Sequence, residues 1–156
     1  MTGKTVENSK TEHVQILTQS TLNGYKRLFG GKLMEWIDIV AAVVARRHSG
    51  KNVTTAYIDS LSFKGPAYAN DTIVLKGYIT HTGTTSMEIC VKTFVENLTG
   101  ELELINTAYV VMVALDENDK PTMVPQLILQ NESEQQEWNC AVKRRDLRLK
   151  RRNEEY

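Results

Sequence analysis

Apolar residues dominate the stretch from Leu33 to Ala45, where only Glu35 and Asp38 interrupt the hydrophobic series. Such a run predicts a helix from about Gly31 to His48, closed by Gly-Lys-Asn at 50–52 and buried nearly all round. Downstream the period changes. The segments VTTAYIDSLSF (53–63), TIVLKGYITHT (72–82), SMEICVKTFVEN (86–97) and LELINTAYVVMVALD (102–116) are rich in Val, Ile, Thr and Tyr and mostly alternate, which predicts strands. Turn signals at 65–71, 81–86, 98–101 and 116–121 separate them, so an antiparallel meander is expected. Ahead of the helix the pattern gives a short strand near His13 to Gln19 and a loop through Leu22 to Leu28.

A strand, a long helix and then a meander make an α+β fold in which one antiparallel sheet curls around one helix. That sheet keeps open edges and an uncovered face, which points to at least a dimer. The chain is expected to divide into a disordered segment at 1–10, a core domain at 11–128 and a charged C-terminal helix at 129–156. In this last helix Glu132 and Glu134 come first and Lys143, Arg144, Arg145, Arg148, Lys150, Arg151 and Arg152 follow, the order a helix macrodipole favours. Charge runs are usually solvated faces, so the helix is expected to be exposed and partly frayed, anchored by Trp138. The sharper alternative is a basic lip for a phosphorylated ligand, or an element packed between subunits.

Composition narrows the function classes. The 156 residues, 41% hydrophobic and 24% charged, suit one domain with a real core. Nineteen basic residues balance nineteen acidic ones, so neither nucleic acid nor an anionic membrane is an expected partner, and any affinity for an anion must be local. The opening MTGKTVENSK has no apolar core, and no segment approaches the roughly 20 apolar residues of a membrane span, so a cytoplasmic protein is expected. Cys90 and Cys140 are far apart and imply neither a metal site nor a disulfide framework.

Asp38 is the candidate for chemistry. Its helical neighbours at three and four residues' distance are Met34, Glu35, Ala41 and Ala42, an unusual setting for a carboxylate. It is exposed, or buried against a polar partner, or it faces a cleft as a general base or nucleophile. Gly30 and Gly31 supply a second element, since first-turn N–H groups are free and lie at the positive end of the helix dipole, where they can hold a developing oxyanion; a tight turn into the helix is the plainer explanation of the pair. Gly31 and Asp38 are seven residues apart, about 10 Å along a helix axis, so one carbonyl cannot bridge them within a chain. Acting on one atom, they must come from two subunits.

The runs NGYKRLFGGKLMEWIDIVAAVVARRHS, VTTAYIDSLSFKGPAYANDTIVL, GTTSME and VALDENDKPTMVP resemble the acyl-CoA thioesterases of the hotdog fold, in the branch of cytosolic acyl-CoA hydrolases, over roughly residues 11–127. The resemblance implies a five- or six-stranded sheet wrapped on one long helix, active as a dimer and often as a trimer of dimers. It implies that Asn23 and Asp38 act together across the dimer interface to hydrolyse an acyl-CoA thioester, with N–H groups near Gly31 polarising the carbonyl. The family usually carries Gly three residues after the Asn; here Lys26 stands there, with Gly24 beside the Asn. No cofactor or metal is expected, coenzyme A being part of the substrate. Candidate contacts for coenzyme A are Thr84, Thr85 and Ser86 after Gly83, Arg47 and His48 at the helix end, and Lys64 before Gly65 and Pro66. The alternative functions are a non-catalytic acyl-CoA sensor, a hydratase or dehydratase, and a plain structural assembly protein; the second needs a His, or an Asp and His pair, at the site, and His13, His48 and His81 all fall elsewhere, while the third leaves Asp38 unexplained.

Overall fold

A computed structural model describes residues 1–155. Helix α1 spans Gly30–Ser49, and strands β3 (Asn52–Phe63), β4 (Thr72–Thr82), β5 (Ser86–Glu96) and β6 (Leu102–Leu115) follow it. With β2 (Thr11–Ile16) they form one antiparallel sheet in the order β2-β4-β5-β6-β3. A helix α2 (Glu132–Glu154) closes the chain, and Tyr156, within the C-terminal helix expected from sequence, lies outside the described residues. The α+β assignment, the central helix and the four long strands agree with the expectation. Gly50 ends α1 at φ 67°, a left-handed cap in which its N–H donates to the Arg46 carbonyl.

The sheet wraps α1 through strict alternation. Met87, Ile89 and Val91 of β5 and Ala108, Val110 and Met112 of β6 point inward to Ile37, Val40, Ala41 and Val44 of the helix. At Gly77 the helix comes so close that an added Cβ would lie 2.6 Å from Val40 Cγ1. The expected burial of α1 on all sides needs correction. Ile39 is 50% exposed and Met34 39%, and Gly31 and Glu35 are exposed beside them. A five-stranded sheet covers only part of a helix's circumference, so one apolar stripe remains bare.

The expected disorder of residues 1–10 is also corrected. Strand β1 (Lys4–Thr5) pairs in parallel with β7 (Leu127–Ile128), Val6 and Ser9 are buried, and Lys4 Nζ donates to the Arg47 carbonyl at 3.1 Å. The sequence there is polar, and the strand arises only because β7 returns to meet it from the far end of the chain.

Helix α2 is a further correction, because it is docked rather than solvated. The outward residues of β5 and β6, Glu88, Cys90 and Tyr109, are covered by it, which explains why β5 is buried on both faces. Glu88, its side chain 1% exposed, accepts from Arg144 Nη2 at 2.7 Å and Arg148 Nη1 at 3.1 Å, and Arg148 also reaches Asp59 at 2.8 Å. Arg144 stacks over the Tyr109 ring and Trp138 over His81. The N-cap is Asn131, whose side chain accepts the Glu134 N–H.

Candidate active site

The chain enters α1 through a hairpin that Asn23 organises. Asn23 Oδ1 accepts the N–H groups of Tyr25 (2.9 Å) and Arg27 (3.2 Å), and its own N–H donates to the Arg27 carbonyl at 2.8 Å. Both local acceptor contacts fall on Oδ1, so Nδ2 points away from the turn with no protein acceptor among the described residues. The turn needs a left-handed residue at position 26, and Lys26 takes it at φ 60°. The glycine missing from the family pattern therefore leaves the hairpin shape intact, at a cost in backbone strain of about 1 kcal/mol.

Beyond the hairpin, Phe29 caps α1 without a side-chain hydrogen bond, and no acidic residue lies in the first turn. Its carbonyl receives the N–H groups of Lys32 and Leu33, and those of Gly30 and Gly31 have no acceptor among the described residues. Aromatic rings flank them: a Cβ on Gly31 would lie 2.6 Å from the Phe29 ring, and one on Gly30 3.7 Å from Phe63. The result is a pair of unpaired donors at the positive end of a 20-residue helix, in an apolar collar.

Asp38 lies two turns further along the same stripe as Gly31, half-buried. Of the three readings of Asp38, the geometry selects a mixture: one oxygen is satisfied and the other is not. The Thr55 hydroxyl donates to Oδ1 at 2.6 Å, and no described residue donates to Oδ2. Glu35 differs, being exposed and paired with Lys32 at 3.0 Å. Thr55 was missed in the sequence reading, because simple alternation does not give the phase of β3. The inward positions of β3 are Val53, Thr55, Ile58 and Leu61, phased by bulges at Ala56 and Asp59, and Thr55 is the polar one.

The coenzyme candidates fare unevenly. His48 is fully buried and its Nε2 lies 2.7 Å from the Pro125 carbonyl oxygen; burial holds its pKa below the ordinary value, with that carbonyl pulling the other way. It is a core histidine and cannot touch a ligand at the surface, which corrects that assignment. Arg47 is exposed, but its guanidinium is tied to the Lys10 carbonyl and Thr11 hydroxyl, and so clamps the N-terminal segment. Lys64 is exposed at the end of β3. In the loop after Gly83, Thr84 and Thr85 spend their carbonyls on Val124 and Ala114, while their hydroxyls and that of Ser86 make no hydrogen bonds among the described residues. The structure thus brings Asp38 and Thr55 together and sets Asn23 and Gly31 at the helix entrance, with Lys64 and the 84–86 loop elsewhere on the surface.

A sheet wrapped on one helix, with bare donors at the helix start and a carboxylate on its exposed stripe, is the arrangement of a hotdog-fold thioesterase. Residues 25–100 match the thioesterase superfamily. Over 131 residues the chain is 43% identical to YkhA of Bacillus subtilis, described as an uncharacterised acyl-CoA thioester hydrolase, covering 83% of this chain and 76% of the relative. The fold superimposes on an apo hexameric acyl-CoA thioesterase with TM-score 0.92, 39% identity and 97% of both chains covered. It matches the acyl-CoA hydrolase of Staphylococcus aureus, solved with butyryl coenzyme A, coenzyme A and coenzyme A disulfide, with TM-score 0.92, 31% identity and coverage of 97% and 93%. The chain belongs to the thioesterase superfamily, among the hotdog-fold acyl-CoA thioesterases.

The Staphylococcus aureus enzyme has also been solved as three separate variants, with alanine in place of an asparagine, of an aspartate or of a threonine. These stand fifteen and then seventeen residues apart, the same spacing as Asn23, Asp38 and Thr55 here.

Proposed function

We propose that the protein hydrolyses acyl-CoA thioesters to a free acid and coenzyme A in sites shared between two copies of the chain. The observation that carries this reading is the exposed stripe of α1, which bears free N–H donors at Gly30 and Gly31 and, two turns on, a carboxylate with one oxygen fixed by Thr55 and one unpaired. A twofold axis passing near Met34 and Glu35 brings Gly31 of each helix opposite Asp38 of the other. It also covers Met34 and Ile39, apolar side chains that are costly to leave in water. The hexameric state of the solved relative supports assembly of this kind, with a trimer of such dimers as the finer expectation.

In this arrangement the thioester oxygen lies at the helix start, where the dipole and the two N–H groups stabilise the negative charge of the tetrahedral intermediate. The free Nδ2 of Asn23 donates to the carbonyl or positions the attacking water. Asp38 of the other copy takes the proton from that water, or attacks the carbonyl carbon directly to give a mixed anhydride that water then opens. Collapse of the intermediate expels the coenzyme A thiolate, a good leaving group that asks little of a general acid. Thr55 holds the carboxylate in one rotamer so that the unpaired oxygen faces the partner.

Thiol release from a panel of acyl-CoA esters tests this directly. Wild type should turn over at least part of the panel, and Asp38→Ala should lower kcat by on the order of a hundredfold or more, the usual worth of a general base. Undiminished turnover by Asp38→Ala would sink the mechanism.

A further inference from the structure

Helix α2 covers only one half of the outer face of the sheet, the rows that contain Glu88, Cys90 and Tyr109. The other half is bare and apolar. Strand register places Val14, Val74, Phe94 and Leu104 side by side across β2, β4, β5 and β6, with Ile16 and Leu102 at the two ends of the next row. Their strand neighbours Ile73, Leu75 and Val91 belong to the core around α1, so alternation turns this row outward. Val14 is 55% exposed and Ile16 60%. An antiparallel sheet face that meets only water reads as polar, so a row of four apolar side chains marks a face that another surface covers. Charge is arranged about the row as well. Lys92 and Glu96 stand two residues from Phe94 on either side, and neither has an ion-pair partner among the described residues. Lys92 and Lys76 instead lie over the rings of Tyr78 and Phe94, at 5.9 and 5.7 Å.

We propose that this row is a second isologous contact between copies of the chain, separate from the α1 contact, through which α1 dimers join into a larger assembly. The proposal rests on the α1 dimer of the proposed active site and adds the surface by which such dimers meet. Sheets packed face to face lie about 10 Å apart with their strands nearly aligned. A twofold axis running along the row from Val14 to Leu104 sets Val74 and Phe94 against their own counterparts and reverses the strand direction. Lys92 of each copy then comes opposite Glu96 of the other, so two ion pairs flank an apolar strip. A twofold axis along the strands fails by charge, since it sets Lys92 of one copy against Lys76 of the other, its neighbour in the same row. The contacts of α2, from Tyr78 and His81 to Glu88 and Asp59, all lie to one side of the row, so the chosen axis sends the two α2 helices apart. It also brings Ile16 of the other copy over a groove of about 460 Å³ walled by Glu12, Lys76 and Phe94. Each α1 dimer carries two such rows, one on each chain. Contacts through them alternate with α1 contacts and close a ring of dimers, the form that a trimer of dimers takes.

Analytical ultracentrifugation of the full chain tests the contact, with Lys92→Glu as the first variant. That change leaves the α1 face untouched and sets two carboxylates against each other at both ends of the strip. Wild type should sediment as an assembly larger than a dimer. Lys92→Glu should sediment as dimers, with the Kd for association of dimers raised about tenfold or more, as like charges facing one another require. Adding Glu96→Lys puts opposite charges face to face again and should restore the larger assembly, a rescue that a merely destabilised fold would not show. Val14→Glu, at the exposed end of the row, places like charge on the axis itself and should also give dimers. A wild type no larger than a dimer would overturn the proposal, and so would a Lys92→Glu protein that assembles as wild type does. Monomers in place of dimers, or no rescue by Glu96→Lys, would overturn it too. Mass is read without substrate, so a protein that hydrolyses no acyl-CoA fails the activity reading while the sedimentation series still decides the contact.

Discussion

The two helices lie on opposite faces of one sheet and are held there by different physics. Helix α1 is buried through Leu33, Ile37, Val40 and Val44, with no ion pair to the sheet among the described residues, and its main contribution is the non-directional one of apolar area removed from water. Helix α2 has one fully buried residue, Ala141, and is positioned by directed bonds from Arg144 and Arg148 to Glu88 and Asp59. Hydrophobic burial tolerates small displacements and leaves a surplus of apolar surface, which on α1 becomes the stripe that carries Asp38. Directed ion pairs fix a helix in one place and leave other charged groups exposed, as Arg145 and Arg152 are on α2.

Removing the hub of the ionic face should produce the largest effect. Glu88→Ala strands the partly buried guanidinium of Arg144 and leaves Arg148 with Asp59 alone, and the loss of one partner from such a network costs about 3 kcal/mol. Urea unfolding measures the loss, and hydrogen exchange locates it: amides of α2 should lose protection while those of α1 keep theirs. Equal loss in both helices would break the distinction between them.

That distinction also explains which parts of the molecule were legible in the sequence. Helix α1 was expected at about 31–48 and is found at Gly30–Ser49, because its signals, an apolar run and a closing glycine, are local. The four long strands were legible through alternation for the same reason. The docking of α2 was not, since its arginines find Glu88 and Asp59 at separations of 56 to 89 residues, and nothing near Arg144 reveals that a carboxylate waits there. The strand at Lys4–Thr5 was hidden likewise, its partner lying beyond residue 126. At the site, Asp38 was conspicuous among apolar neighbours, whereas Thr55 became visible only once the bulges set the phase of β3.

A smaller effect separates the two faces by pH. His48, on α1, is held below its ordinary pKa by burial, partly offset by the Pro125 carbonyl; His81, against α2, is lowered by burial, with Glu88 pulling it up and Arg145 and Arg148 pushing it down. Below about pH 6.5 the unfolded histidines take up protons that the native ones refuse, so the unfolded state binds more protons there. Stability is therefore full above that pH and falls as the pH drops toward the lowered native values, by up to about 1.4 kcal/mol per pH unit for each histidine. Denaturation series at several pH values should show this slope, and His81→Phe should remove the share belonging to the α2 face. A slope unchanged by that substitution would assign the whole effect elsewhere.

The smallest expected change concerns the hairpin before α1. Lys26→Gly relieves a left-handed lysine and should raise stability by a net amount of up to about 1 kcal/mol, after the greater freedom of glycine in the unfolded chain is subtracted. Thermal unfolding reads it, and a fall in stability would mean that the lysine side chain contributes more than its backbone costs.

The claim on which everything else depends is that one copy supplies the donors and another the carboxylate. Asn23→Ala and Asp38→Ala chains should each be inactive alone. Mixed in equal amounts and allowed to exchange fully, they should recover about one quarter of the wild-type rate, because half of the dimers are then mixed and each holds one intact pair. A well-exchanged mixture that stays as inactive as its parents would contradict a shared site.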